Sequence, residues 1–215
     1  MVADNCTDKT EVIAAEMGAE VFVTQGNTDR MAGVLNQALR MLLPTCTELD
    51  VILVMDADTV LSTTYTGTAL DALQRFPLLD AVGGLFYGDP GGGLLGQLQR
   101  NEYLRYPGQI IHRRGRVFVL TGTATVFRAE ALADVAAARG VLIPGRPGDV
   151  YDSTALTEDN ELTIALKSLG SRMVSPPPRP RIPDDTVPLM SQKCSSRRQP
   201  TQDLFPEPGP GPRGT

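Results

Sequence analysis

Short apolar runs alternate with longer amphipathic stretches along most of the chain. Runs rich in Val, Ile, Leu and Phe predict strands, whereas apolar residues at every third or fourth position predict helices. The predicted strands end at Ala3 or cover residues 20–24, 51–55, 81–87 and 116–120. The predicted helices cover residues 9–17, 29–43, 65–75, 94–105, 129–138 and 157–169. This succession of strands and helices predicts an α/β domain with a parallel, doubly wound sheet.

The composition changes abruptly after Ser175. Residues 176–215 are rich in proline, arginine, serine and glycine, and they show no apolar periodicity. Such a segment cannot bury enough apolar surface to offset the conformational entropy that it would lose on folding. The sequence therefore predicts a folded domain over residues 1–175 and a disordered tail over residues 176–215. A genuine proline-rich tail and a shifted reading frame both account for the change.

The overall composition excludes several classes of protein. The chain has 215 residues, of which 41% are hydrophobic, and its net charge of -5 gives no electrostatic basis for binding nucleic acid. It contains no apolar run of about 18 residues, so we expect no membrane span in this chain. Its 3 cysteines are far apart, which argues against a disulfide framework and favours a cytoplasmic location. A single histidine excludes a His-rich metal site.

Two carboxylates follow the most hydrophobic of the predicted strands. Residues 51–55 form an uninterrupted apolar run, and Asp56 and Asp58 come directly after it. Ligands of open α/β sheets bind beyond the carboxyl ends of the strands, so both side chains are placed where a ligand is expected. Paired oxygen donors suit Mg²⁺ or Mn²⁺, which would in turn hold a diphosphate. The alternative is an ordinary strand-end turn or the cap of a following helix.

Two further segments carry candidate chemistry. Residues 121–123 (Thr-Gly-Thr) follow a predicted strand, and their small side chains would let a ligand approach the main chain closely. Glu158 and Asp159 open the last predicted helix directly after Thr157. Helix capping is the alternative explanation of this second cluster, because threonine is a common N-cap and acids in a first turn complement the helix dipole.

Together, and in this order, these segments resemble motifs of glycosyltransferase family 2. Residues 56–58, 121–128 and 157–159 are collinear with motifs of its processive branch, which includes cellulose, hyaluronan and poly-N-acetylglucosamine synthases. Residues 4–8 resemble the first acidic loop of that family, and residues 33–36 resemble its Lys-Ala-Gly-x-x-Asn stretch. The resemblance covers the predicted domain. It implies a GT-A fold whose mostly parallel, Rossmann-like sheet lacks its first strand.

The resemblance also implies a reaction and a role for each motif residue. The reaction is the inverting, metal-dependent transfer of a sugar from a UDP-hexose or UDP-hexosamine donor to a saccharide acceptor, with Mg²⁺ or Mn²⁺ as cofactor. Asp159 matches the catalytic base, with Glu158 as its rival for that role. The implied nucleotide contacts are Asp4, Arg30, Asn36 and Asp56; the implied metal ligands are Asp58 and Asp56; the implied acceptor site is Thr121, Gly122 and Thr123.

The sequence departs from the family pattern in several places. Met31 replaces the lysine of the Lys-Ala-Gly stretch, with Arg30 beside it, and the chain has neither the later Gln-x-x-Arg-Trp motif nor any tryptophan. The membrane helices of relatives that act at the cytoplasmic face of the membrane are also missing. We therefore expect an incomplete catalytic domain. Two alternatives stay open, a catalytically inactive remnant that binds a nucleotide-sugar and another α/β nucleotide-binding module.

Overall fold

The computed structural model of the chain describes residues 1–88, 92–113, 115–175 and 190–192. The strands are β1 (Val2–Ala3), β2 (Phe22–Val23), β3 (Val51–Met55), β4 (Thr59–Leu61), β5 (Leu79–Gly83), β6 (Tyr87–Gly88), β7 (Ala124–Arg128), β8 (Arg172–Val174) and β9 (Met190–Gln192). The helices are α1 (Thr10–Glu16), α2 (Arg30–Leu42), α3 (Tyr65–Arg75), α4 (Gly93–His112), α5 (Ala129–Ala138) and α6 (Glu158–Ser168). None of the described helices combines the length and the apolarity that crossing a bilayer requires.

The central sheet has four strands in the order β3–β7–β5–β8 and is mixed. β8 runs parallel to β5, but β7 runs antiparallel to both β3 and β5, so the predicted, mostly parallel sheet is a mixed one. Ala124, the first residue of β7, pairs with Met55, the last residue of β3. The chain therefore enters β7 at the same sheet edge at which β3 and β5 end, without first crossing back over the sheet.

The reversed direction of β7 brings two of the predicted site segments together. The main-chain N–H of Asp56 donates to the carbonyl of Thr123 at 3.3 Å, which continues the pairing of β3 and β7 beyond both strands. A parallel β7 would have begun at the opposite edge of the sheet. The antiparallel strand thus places residues 121–123 beside the carboxylates that follow β3.

The apolar segment 116–120, predicted to be a strand, does not join the sheet. Apart from one isolated bridge it forms no ladder pairing, and side chains satisfy its main chain instead. The hydroxyl of Tyr106 donates to the carbonyl of Val119 at 2.9 Å, and Oγ1 of Thr163 accepts the N–H of Leu120 at 2.9 Å. The segment therefore supplies apolar side chains to the core as a loop.

Helices cover both faces of the central sheet. Successive side chains of β7 point to opposite faces, so Val126 packs under α3 while Phe127 packs in the larger cluster formed with α2, α5 and α6. The result is a three-layered α/β/α arrangement with two apolar cores. The carboxyl ends of β3 and β5 and the start of β7 form one edge between these layers.

Two smaller sheets accompany the central one. β1 pairs in parallel with β2, and β9 lies between β4 and β6, antiparallel to the former and parallel to the latter. β9 belongs to the segment predicted to be a disordered tail, so residues 190–192 are an exception to that prediction. The remainder of the predicted tail, residues 176–189 and 193–215, lies outside the described residues.

Candidate active site

Asp56 and Asp58 lie in the turn between β3 and β4. The N–H of Thr59 donates to the carbonyl of Asp56 at 3.1 Å, and no helix follows directly, so these residues do not cap a helix. Neither carboxylate accepts a hydrogen bond from any described residue. Burial, followed by the negative charges of Asp58 and Glu158, raises the pKa of Asp56 above its usual value. The turn therefore presents two uncompensated carboxylates at the sheet edge.

The two carboxylates fit a divalent cation that a bound ligand helps to hold. Among the described residues, no three His, Cys, Asp or Glu side chains are arranged to enclose a metal ion by themselves. Mg²⁺ commonly takes one or two carboxylates and completes its shell with water and substrate phosphates, and Asp56 and Asp58 offer such a pair. A cation would also offset the repulsion that disfavours ionised Asp56.

Asp159 lies in the first turn of α6 with its carboxylate against Gly122. The N–H of Gly122 donates to Oδ2 of Asp159 at 2.8 Å, and a Cβ at position 122 would lie 2.7 Å from that oxygen. Glycine is therefore required for the close approach. Burial raises the pKa of Asp159 to about 6, opposed by the Gly122 hydrogen bond and reinforced by the charges of Glu158 and Asp56.

The acids that open α6 make contacts beyond those of a helix cap. Thr157 occupies the N-cap position, but its side chain makes no capping hydrogen bond. Glu161 instead pairs with the fully buried Arg139, whose Nη1 lies 2.5 Å from Oε1 of Glu161. Glu158 lies close enough to raise the pKa values of both Asp56 and Asp159. The start of α6 therefore concentrates negative charge at the sheet edge.

Thr163 ties α6 to the loop that precedes β7. Its Oγ1 donates to the carbonyl of Asp159 at 2.7 Å and accepts the N–H of Leu120 at 2.9 Å. The side chain is buried, so water does not compete for either bond. Asp159 is consequently held through its carbonyl by Thr163 and through its carboxylate by Gly122.

Asn36, predicted to contact the nucleotide, holds the loop before α6 in the structure. Its Nδ2 donates to the carbonyl of Tyr151 at 2.8 Å, and its Oδ1 accepts the N–H groups of Val150 and Tyr151 at 3.0 and 2.9 Å. The side chain is only 3% exposed, and both its oxygen and its nitrogen are engaged in these bonds. Asn36 therefore positions Tyr151, and its contact with the nucleotide stays a prediction.

Asp4 lies in the loop that follows β1, and Arg30 is the first residue of α2, directly after the loop that follows β2. Oδ1 of Asp4 accepts hydrogen bonds from Oγ1 of Thr24 at 2.5 Å and from Nδ2 of Asn27 at 3.0 Å. Asn27 also donates to the carbonyl of Arg30 at 2.9 Å, and the Arg30 side chain is exposed. Asp4 thus organises these loops with one oxygen, and its other oxygen accepts no bond from the described residues. Nucleotide contacts by Asp4 and Arg30 stay predictions.

The predicted residues form one main group at the sheet edge. Asp56, Asp58, Glu158 and Asp159 lie there with residues 121–123. In that segment Gly122 binds Asp159, and the carbonyl of Thr123 binds the N–H of Asp56. Thr121 accepts a hydrogen bond from the hydroxyl of Thr125 through its carbonyl at 3.0 Å. The acceptor role of Thr121, Gly122 and Thr123 stays a prediction.

Sequence reasoning missed Tyr151, Thr163 and Arg139. Tyr151 is buried beside the carboxylates, and burial together with the charges of Asp159 and Glu158 raises its pKa. It lies in a glycine- and proline-rich loop that has no periodicity, so no sequence signal marks it. The ion pair of Arg139 joins residues 22 positions apart and likewise leaves no local signal.

Replacing Asn36 with alanine should lower the free energy of unfolding by about 2–4 kcal/mol, because three buried main-chain groups would lose their partner. Urea denaturation of the two proteins measures the difference. Asn160→Ala is the control, since Asn160 is exposed and should change stability by less than about 0.5 kcal/mol. Equal stability of both variants would contradict the stabilising role assigned to the Asn36 hydrogen bonds.

Catalysis that depends on ionised Asp159 should decline on the acid side of about pH 6. The pKa of Asp159 is raised to about 6, so the carboxylate is the majority form above that pH and is protonated below it. A base that is protonated cannot accept a proton, so kcat/KM should fall about tenfold for each pH unit below the midpoint. A profile of kcat/KM between pH 4.5 and 8.5 measures the midpoint, and a midpoint near 4 would contradict the assignment.

A family model described as Glycosyltransferase like family 2 matches residues 1–201. The mannosyltransferase PcManGT from Pyrobaculum calidifontis, solved with GDP-Man and Mn²⁺, is 17% identical with a TM-score of 0.55, over 82% of this chain and 45% of its own. Glucosyl-3-phosphoglycerate synthase from Mycobacterium tuberculosis, solved with Mn²⁺, UDP-Glc and phosphoglyceric acid, is 16% identical with a TM-score of 0.45. That match covers 81% of this chain and 56% of the synthase chain. No curated protein matches the chain.

The solved structures support a conclusion about the fold, whereas the family match supports a conclusion about the family. At this identity the likeness to the mannosyltransferase establishes the fold alone, a GT-A-like α/β domain with helices on both sides of a mixed sheet. This chain spans about half the length of the solved structures that it resembles. The family match, in contrast, covers most of the chain. The chain therefore belongs to glycosyltransferase family 2.

Proposed function

We propose that this chain forms the donor-binding and catalytic part of an inverting, metal-dependent glycosyltransferase. The donor is a nucleotide-diphospho-sugar, a UDP-hexose or UDP-hexosamine, and the acceptor is a saccharide. The proposal includes membership of the processive branch and action at the cytoplasmic face of a membrane. The observation that carries it is the convergence of the Asp56–Asp58 turn and Asp159 at one sheet edge.

The donor side of the proposal rests on the turn between β3 and β4. Asp58 and Asp56 would hold Mg²⁺ or Mn²⁺, which when bound neutralises charge on the departing diphosphate. The main-chain N–H of Asp56 is bonded to Thr123, so the main chain that carries this carboxylate is fixed relative to the loop that carries Gly122. The open oxygen of Asp4 would bind the nucleotide base, and the exposed Arg30 would add positive charge near the diphosphate in place of the family lysine.

The acceptor side of the proposal rests on Asp159. Its carboxylate accepts the proton of the acceptor hydroxyl while that oxygen forms a bond to the anomeric carbon. The bond from the anomeric carbon to the diphosphate breaks on the opposite face, so the configuration inverts. Gly122 occupies Oδ2 of Asp159 with a hydrogen bond, which leaves Oδ1 to take the proton. A base with a pKa near the working pH is suited to this transfer.

The geometry favours Asp159 over Glu158 as this base. Asp159 is fixed by Gly122 and Thr163, whereas no side-chain hydrogen bond holds Glu158 among the described residues. A positioned base contributes more than a mobile one because the reacting atoms must meet in a narrow geometry. Glu158 would instead add negative charge that keeps the pKa of Asp159 high.

Release of UDP from a panel of UDP-hexoses and UDP-hexosamines tests the proposal directly. Purified protein with Mn²⁺ and short saccharide acceptors should release UDP from at least one donor, and Asp159→Asn should not. UDP binding without any turnover would instead favour the alternative of an inactive nucleotide-sugar-binding protein. Absence of both binding and turnover would reject the proposed function.

A further inference from the structure

A small cavity lies against Asp159 and extends into the protein interior. Its apolar walls are Val54, Leu120, Phe127 and Leu162, and its polar walls are Thr121, Gly122, Thr125, Tyr151 and Asp159. Val54 and Phe127 belong to the central sheet, Leu162 belongs to α6, and Leu120 lies in the loop before β7. The cavity therefore lies beneath the catalytic carboxylate, among core side chains.

Two hydroxyl groups at this cavity lack hydrogen-bond partners in the described part of the chain. Oγ1 of Thr121 is buried and unpaired. Tyr151 is only 2% exposed, and no described residue forms a hydrogen bond with its phenol oxygen, although this oxygen, unlike Oγ1 of Thr121, is not completely enclosed. Native proteins rarely leave buried polar groups unpaired, and an ordered water is the usual partner where protein groups are absent.

We propose that Tyr151 is a positioning residue for Asp159, and that its hydroxyl and Oγ1 of Thr121 hold an ordered water against the Asp159 carboxylate. The inference rests on the proposed role of Asp159 as base. The cavity is comparable in size to a single water molecule. The Tyr151 hydroxyl, Oγ1 of Thr121 and the Asp159 carboxylate would give that water three polar partners, the number that a buried water usually has. The water would donate to Asp159 and so favour its ionised form.

Electrostatic and main-chain contacts agree with this placement. The charges of Asp159 and Glu158 act on the phenol of Tyr151 and raise its pKa, after the larger effect of burial. The groups whose charges act on Asp159 are Glu158 and Asp56. The loop is rigid at this point, because Asn36 binds the main chain on both sides of the Val150–Tyr151 peptide.

Tyr151→Phe removes the hydroxyl and keeps the ring, so it separates positioning from packing. We expect an unchanged melting temperature and donor KM, a kcat lowered about three- to tenfold, and an acidic midpoint raised by roughly one half to one pH unit. Thr121→Val should also raise the acidic midpoint, whereas Thr121→Ser, which keeps a hydroxyl, should keep the wild-type midpoint. Tyr65→Phe is the matched control, because the Tyr65 hydroxyl is buried in bonds to the carbonyls of Val82 and Ala124. It should lower stability without moving the midpoint.

Carboxyl carbon NMR titration of Asp159 provides a test that needs no turnover. In Tyr151→Phe and in Thr121→Val, the titration midpoint of Asp159 should rise relative to the wild type. A crystal structure of the wild type should show the water bonded to Tyr151, Thr121 and Asp159. Because the titration reports Asp159 even in an inactive chain, failure of the proposed function and failure of this inference are distinguishable. Equal midpoints in all three proteins, or a dry cavity, would overturn the inference.

Discussion

Asp159→Asn should lower sugar transfer by about two to four orders of magnitude, which is the usual contribution of a positioned general base. Asparagine keeps the shape of the side chain and an oxygen for the Gly122 N–H, but it cannot accept the acceptor proton. Affinity for UDP should change little, because Asp159 is not among the proposed donor ligands. Initial rates of UDP release and calorimetric titration with UDP measure the two quantities separately.

Two controls accompany this substitution. Glu158→Gln should retain most of the activity, and retention in Asp159→Asn with loss in Glu158→Gln would move the base to Glu158. Asp159→Asn should also melt at a higher temperature than the wild type at pH 7.5. The pKa of Asp159 is raised from 3.8 to about 6 on folding, so the native state binds more protons and stability falls as pH rises through this range. Asparagine carries no such penalty, so a melting temperature at or above that of the wild type would exclude unfolding as the cause of lost activity.

Asp58→Ala should abolish the dependence of UDP affinity on Mn²⁺. In the wild type, a cation held by Asp56 and Asp58 would join the protein to the diphosphate, so added Mn²⁺ should strengthen UDP binding by about ten- to a hundredfold. Loss of one of two carboxylates should remove most of that gain. Calorimetric titrations with UDP, with and without Mn²⁺, measure the change in both proteins.

The matched control for the metal site is Asp71→Ala. Asp71 is a partly exposed carboxylate of α3 paired with Arg75, at 3.0 Å between Oδ1 and Nε, so its removal changes the net charge by the same amount. It should leave the effect of Mn²⁺ unchanged. UDP affinity that is independent of Mn²⁺ in the wild type, or an equal response in Asp58→Ala and Asp71→Ala, would contradict a metal site at the β3–β4 turn.

Local patterns in the sequence predict much of the fold and the position of the carboxylates. The apolar run 51–55 is a strand with Asp56 and Asp58 at its end, as its uninterrupted apolar pattern predicts. Its side chains are nevertheless only half-buried, and Met55 is exposed, because β3 is the outer strand of the central sheet. The local sequence also predicts where α6 begins, since the chain changes there from a glycine- and proline-rich loop to an amphipathic segment. Hydrophobic periodicity and the glycine and proline residues between elements were sufficient to predict these features.

Long-range contacts account for what the sequence did not predict. Whether residues 116–120 form a strand depends on partners such as Tyr106 and Thr163, not on their own apolar character. The direction of β7 likewise depends on the path of the chain between β5 and Ala124. Asn36 was assigned to the nucleotide by resemblance, but its partner Tyr151 lies 115 positions away. A single sequence carries no signal for such a pair.

The configuration of the released sugar tests the central claim most directly. Time-resolved proton NMR should follow an α-linked UDP-sugar incubated with the protein and Mn²⁺, with a saccharide or water as acceptor. A single in-line displacement assisted by Asp159 predicts that the β-configured product appears first, before any mutarotation, and that Asp159→Asn suppresses it. Initial appearance of the α-configured product, or equal turnover by Asp159→Asn, would contradict the account.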